Sequence, residues 1–208
     1  GANNAKELKS ILKLAKLNSK LVFINYFRLF NPQLNIFKKK FSNSKNFRMV
    51  FFYSRGMYNN TSHLISLLLS IFKSPKDISI ISKNNKKKDI NHDFRIRFNK
   101  GDVTFLSTNV KNLSYLKLIS LSDKEVISSN NSFNDFISSG SKKDDYIKDH
   151  ITYSNKSNLI KIDYSKSQKI VYDNISNFFE KKKYIKLLNI YLKTLEILDE
   201  IKKKNKKK

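Results

Sequence analysis

The chain has no cysteine and no tryptophan, and only four glycines and two prolines in 208 residues. Without cysteine there is no disulfide, no thiolate zinc site and no cysteine nucleophile. So few glycines argue against a phosphate-cradling Gly-rich loop and a densely wound α/β nucleotide fold, whose turns need backbone free of Cβ. Long apolar runs are missing too. The nearest, Leu21 to Phe30, is broken by Asn25 and Arg28 and falls short of the ~20 residues of a membrane helix. The start, Gly1-Ala-Asn-Asn, shows no signal-peptide pattern and reads as a processed or partial N-terminus.

Acids are scarce as well. Seventeen Asp and Glu face 42 Lys and Arg, a net charge of +25. Phosphate backbones are the commonest partner for such a surplus, because each cation set beside a phosphate releases condensed counterions. An anionic membrane surface is a second partner of that kind. Part of the lysine has a blander origin, since Lys, Asn, Ile, Phe and Tyr are favoured by A+T-rich codons.

What is present has order. Ala5, Leu8, Ile11, Leu12 and Ala15 recur at helical spacing opposite Lys6, Lys9, Lys13 and Lys16, which predicts an amphipathic helix over 5–17. Asn31-Pro32 breaks the next apolar stretch. Phe47 to Tyr53 is strand-like by its aromatic and β-branched content. Thr61 or Ser62 can cap a helix carrying Leu64 to Phe72, which Ser74-Pro75 stops. Next come Ile78 to Ile81, a lysine-rich turn, and Phe94-Arg-Ile-Arg-Phe98, where apolar and basic residues alternate. The inward set changes phase at Gly101, which suggests a bulge or kink. A short helix with Leu113, Leu116 and Ile119 and a final strand at Lys124 to Ile127 complete a strand, helix, strand, strand, helix, strand order. That order predicts an α+β, ferredoxin-like split βαβ domain with a long basic β-hairpin, flanked by largely helical extensions. The boundaries expected are an N-terminal helical extension at 1–45, the domain at 46–128, a low-complexity, extended linker at 129–172, and a C-terminal helix with a basic tail at 173–208.

No residues suggest catalysis. His63, His92 and His150 stand in no metal-ligand spacing, and His63, near a helix start, reads as structural. The acid pairs Asp144-Asp145 and Asp199-Glu200 are adjacent, and sequence neighbours do not face each other on a helix or strand. The expectation is therefore a non-enzyme with no catalytic residue, no metal and no cofactor. The basic residues do cluster. Lys83, Lys86, Lys87, Lys88, Arg95, Arg97 and Lys100 fall on one hairpin with His92 at its flank, and form the candidate RNA-binding set. The alternative is a solvated edge hairpin kept soluble by lysine.

This stretch, with Phe94, Ile96, Arg97, Lys100 and the preceding Lys88-Asp89, resembles the long hairpin of the S10 family of small-subunit ribosomal proteins. The strand Phe47 to Tyr53, the helix from Leu64, and the segments Val103 to Phe105 and Leu113 to Leu118 fit the family's order over about residues 46 to 128. The loop Lys73-Ser-Pro-Lys76 is shorter than the family's, and Ile90-Asn-His92 lacks its usual arginine. The resemblance implies a structural rRNA-binding protein in the head of a ribosomal small subunit, with neighbouring head proteins as partners, no small-molecule substrate and no membrane span. Long flanks and A+T-rich composition point to a mitochondrion, with a plastid-type organelle as the alternative. A different expectation is a lysine-rich peripheral subunit of an organellar membrane complex.

Overall fold

The protein is described from a computed structural model, which covers residues 2–32, 34–82, 91–108, 110, 113–130, 133–177 and 181–206. A nine-stranded mixed sheet runs through it. In chain order the strands are β1 (Phe47–Tyr53), β2 (Asp77–Ser82), β3 (Asp93–Phe98), β4 (Gly101–Ser107), β5 (Leu116–Ser122), β6 (Glu125–Asn130), β7 (Asp135–Lys143), β8 (Ile151–Tyr153) and β9 (Asn158–Lys161). Spatially the order is β2-β3-β4-β1-β5-β6-β7-β8, with β9 also pairing β7. β1 and β4 run parallel, and the other pairs are antiparallel.

The helices are α1 (Ala5–Leu17), α2 (Leu34–Ser42), α3 (Ser62–Phe72), α4 (Ser167–Asn177) and α5 (Lys181–Lys206). α1 begins where Asn4 accepts the Glu7 N–H at 2.8 Å, a side-chain cap for an otherwise orphan donor. α2 and α3 lie against one side of the sheet. Phe72 stacks on Phe47 at 4.3 Å between centroids, and Phe37 meets Phe136 at 5.8 Å. α3 packs in turn on α5, and α5 on α1. One buried cluster joins Ala5 and Leu8 to Leu198 and Ile201 by way of the strands.

Register explains the core. Ile80, Phe94, Phe105, Phe51 and Leu118 are successive partners across five strands, and all but the half-buried Ile80 are fully buried. The rings of Phe94 and Phe105 stack at 4.5 Å and those of Phe105 and Phe51 at 5.2 Å. One residue along each strand the side chains point the other way, as the pleat requires. There Ser79, Arg95, Thr104, Val50, Ile119, Ser128 and Ile137 form a second row, half-buried or exposed.

The ferredoxin-like expectation is overturned, and one turn accounts for much of it. Phe98 pairs with Gly101, so Asn99 and Lys100 form a two-residue hairpin turn where a kink in a single strand was expected. A strand is thereby added between β3 and β1. The phase change at Gly101 is the reversal itself. Gly101 is required there because a Cβ would lie 2.0 Å from the Phe47 carbonyl oxygen. The second error is Leu113 to Ile119. Leu116, Leu118, Ser120 and Ser122 are buried in alternation, a period of two, and the segment is strand β5. β7 falls in the stretch read as an extended linker, and Ser129 and Ser138 are buried. The amphipathic helix at 5–17 and the β2–β3 pairing do form.

Candidate functional site

β1 ends at Tyr53 on the buried side of the sheet. The chain then turns through Arg55 (φ 62°) and Gly56 (φ 80°) into a π-helical turn, Met57–Thr61, that runs directly into α3. Positive φ is routine for glycine but strained for arginine, and such strain is held only where surroundings enforce it. They do so here. Ser54 Oγ donates to the Tyr115 carbonyl (3.1 Å) and accepts the Tyr115 N–H (2.6 Å), while Asn60 Nδ2 donates to the Ser54 carbonyl (2.8 Å).

Beside this junction lies a cleft of about 560 Å³. Tyr26, Phe27 and Arg28 come to it from a 3-10 turn, Tyr58 and His63 from the π-helical turn and α3, and Lys202 from α5. α3 buries Leu64, Ile65, Leu67, Leu68 and Leu69, so the helix that carries His63 is fixed by the core.

The imidazole of His63 sits between Tyr26 (centroids 5.2 Å) and Phe27 (5.0 Å). Among the described residues its buried Nδ1 has no hydrogen-bond partner, nor have the Tyr58 hydroxyl and the Arg28 Nε. Burial, reinforced by the positive charge of Arg28, pushes the His63 pKa down to about 4, so the ring is neutral at pH 7. Burial pushes Tyr26 up to about 12 and also raises Tyr58, which Asp199 nearby raises further. Arg28 is only 9 % exposed. Its guanidinium lies over Phe27 at 4.7 Å and bonds Tyr164, and burial lowers its pKa. A neutral imidazole, a phenol and a buried guanidinium thus meet in one cleft, a set able to bind a polar molecule and exchange a proton with it.

The described residues among those expected to bind RNA lie elsewhere. Lys83, Lys86, Lys87 and Lys88 are outside the described residues. Arg95 and Arg97 point from β3 to the open side of the sheet, where Arg97 meets Asp77 at 3.7 Å, and Lys100 is in the β3–β4 turn. His92 is 1 % exposed, and its carbonyl accepts the Tyr53 hydroxyl at 2.7 Å. His63 was expected to be structural, and Arg28 entered only as a break in an apolar run. The available signal was a polar stretch, Asn59 to Ser62, set directly against a helix apolar on nearly every face. Among the described residues no three His, Asp or Glu could hold a metal, and no helix is long and apolar enough to cross a membrane.

No family model matches the sequence, and no curated protein matches it. Solved structures do match in fold, among them dehydrogenases, oxidoreductases and a ketoreductase. A dehydrogenase (MviM) from Clostridium difficile superposes with a TM-score of 0.62 at 11 % identity, over 97 % of this chain and 67 % of that one. UDP-N-acetylglucosamine 3-dehydrogenase GnnA from Acidithiobacillus ferrooxidans gives 0.63 at 8 %, over 93 % and 65 %. A 3-ketoreductase from Actinomadura kijaniata, solved with TDP-benzene and NADP, gives 0.64 at 10 %, over 95 % and 65 %. The chain thus spans about two thirds of the length of these proteins.

These likenesses overturn the ribosomal reading. The sheet superposes on those of solved oxidoreductases and departs from the strand order expected of the S10 family, so the expectations of a non-enzyme, of rRNA and ribosomal head proteins as partners, and of no small-molecule substrate fall with it. The peripheral-subunit alternative falls too. A dinucleotide, such as the NADP of the ketoreductase, does not fit the described residues. Its usual cradle is a glycine-rich turn in a parallel βαβ unit. Here β1 and β4 are the only parallel pair among the described strands, and the β1–α3 junction is a π-helical turn entered through Arg55.

Proposed function

We propose that this chain is the substrate-binding sheet unit of an oxidoreductase, and that its cleft takes a small hydroxyl- or carbonyl-bearing molecule whose proton passes to or from His63. The observation that carries this reading is that His63, Tyr58 and Arg28 all line the cleft and that each keeps a buried polar atom, Nδ1, Oη and Nε, without a hydrogen-bond partner among the described residues. Each such atom costs about 1–3 kcal/mol of desolvation unless something bonds it.

The two neighbours named for their reactions, a 3-dehydrogenase and a 3-ketoreductase, each change the protonation of a substrate oxygen. His63 is suited to that task. Held neutral at pH 7, it accepts a proton at Nδ1 and, once charged, returns it readily because the buried cation is disfavoured. The Tyr26 and Phe27 rings fix the plane of the imidazole. The Tyr58 hydroxyl, kept protonated by its raised pKa, donates to the same substrate oxygen.

The test is to titrate sugar nucleotides, beginning with UDP-N-acetylglucosamine, and the parent sugars into labelled protein, following the His63 ring by NMR. Saturable movement of that ring is expected, and the His63→Gln protein should lose its pH-dependent binding between pH 4 and 7. If no member of the panel moves the ring, the reading is wrong.

A further inference from the structure

We infer that the cleft has an anion-binding pole, formed by the Arg28 guanidinium at its buried end with Arg55 and Lys202, which receives a phosphoryl group of the substrate. The inference rests on reading the cleft as the substrate site, and goes beyond it by naming what holds the substrate's charge.

Arg28 is nine-tenths buried, yet among the described residues no carboxylate pairs with it. Its partners are aromatic. Phe27 and Phe133 lie 4.7 and 5.9 Å from the guanidinium carbon, and the Tyr164 oxygen accepts one N–H. A buried charge without a counter-ion is costly, and natural structures rarely keep one without use. Its Nε remains unbonded. Among the described residues, those lining the cleft include Arg28, Arg55 and Lys202 but no Asp or Glu. Asp199, whose charge reaches Tyr58, accepts the Ala5 N–H at 2.9 Å. Arg55 is exposed in its strained conformation, free to close on a ligand. A guanidinium presents a planar fork suited to two oxygens of one phosphoryl group. Three cations suit a dianion better than a single carboxylate.

The geometry also couples this pole to His63. The field of Arg28 helps to keep the imidazole neutral, so an anion on Arg28 raises the affinity of His63 for a proton. The other titratable or charged groups facing this pair are Tyr26, Tyr58, Tyr164 and Lys202, with Asp199 behind Tyr58.

The test uses inorganic phosphate as probe, at constant ionic strength set by chloride, with calorimetry and NMR titration of the His63 ring on the full chain. One saturable site is expected, with the His63 pKa rising when it fills. Arg28→Met should weaken binding at least tenfold and abolish the pKa rise. Because Arg28 is buried, the double variant Arg55→Gln, Lys202→Gln is a second probe whose fold is not at risk, and it should weaken binding several-fold. Equal binding by wild type and both variants would mean diffuse attraction to a +25 chain, and would overturn the inference. So would phosphate binding that leaves His63 unmoved. His63→Gln separates the two proposals, since it should keep phosphate binding even if His63 moves no proton.

Discussion

The two sides of one sheet handle side chains in opposite ways. On the covered side, Phe94, Phe105 and Phe51 stack in register under the helices. On the open side, one residue away on the same strands, stand Arg95, Thr104 and Val50. The cations differ in the same sense. Arg97 and Arg48, on the open side, meet Asp77 and Asp102 at 3.7 and 3.4 Å and stay more than half exposed, at 56 and 77 %. Arg28, in the helical layer, is buried and among the described residues pairs with no carboxylate. Solvent and a paired acid explain an exposed arginine without reference to function. A buried, unpaired one asks for a ligand. The total of +25 does not separate the two cases, and burial does.

The largest contrast concerns the scaffold. Phe105→Ala removes the middle ring of the stack and should cost about 3–5 kcal/mol, the range for a buried phenylalanine. Thr104→Ala, its neighbour on β4, faces the open side and should cost under about 1 kcal/mol. Urea unfolding of both checks this, with unchanged m-values expected. Similar costs would mean that the open side is packed as well.

The next contrast is in pH. His63 has a pKa of about 4 in the fold and about 6.5 in an unfolded chain. Above about pH 6.5 both states are neutral there and its contribution is present in full. As pH falls, the unfolded chain takes up the proton first, so stability declines down to about pH 4. The loss is at most about 3 kcal/mol, because each pH unit between the two values is worth about 1.4 kcal/mol. Denaturation curves from pH 7 to 4 should show this slope in the wild type and less of it in His63→Gln. Equal slopes would place His63 in water.

Local periodicity was legible in the sequence and topology was not. The alternation Phe94, Ile96, Phe98 put the correct residues inside, because a pleat allows no other arrangement once one face is buried. A turn of Asn99 and Lys100 carries no Asn-Gly or Gly-Gly signal, so the reversal at Gly101 passed for a kink. Leu113, Leu116 and Ile119 match a helical spacing by accident, while Ser120 and Ser122 are buried strand residues whose polarity hid the period of two. The cleft was less legible still. Arg28 and His63 are 35 positions apart, and a turn and a helix bring them together across the core. No spacing motif can carry that, and the charge on the hairpin drew attention to the side of the sheet where charge is ordinary.

The smallest expected effect is the most direct probe of the open side. Arg97 and Asp77 are paired across β2 and β3 with both side chains substantially exposed. A double-mutant cycle with Arg97→Ala and Asp77→Ala should return a coupling below about 1 kcal/mol, because water screens the pair and ordering two side chains costs entropy. Raising the salt from 0.1 to 1 M shortens the screening length from about 10 to 3 Å and should erase what remains. A coupling of several kcal/mol that survives salt would require the pair to be dry. Something would then have to cover this side of the sheet in solution, and the contrast with Arg28 would fail at its other end.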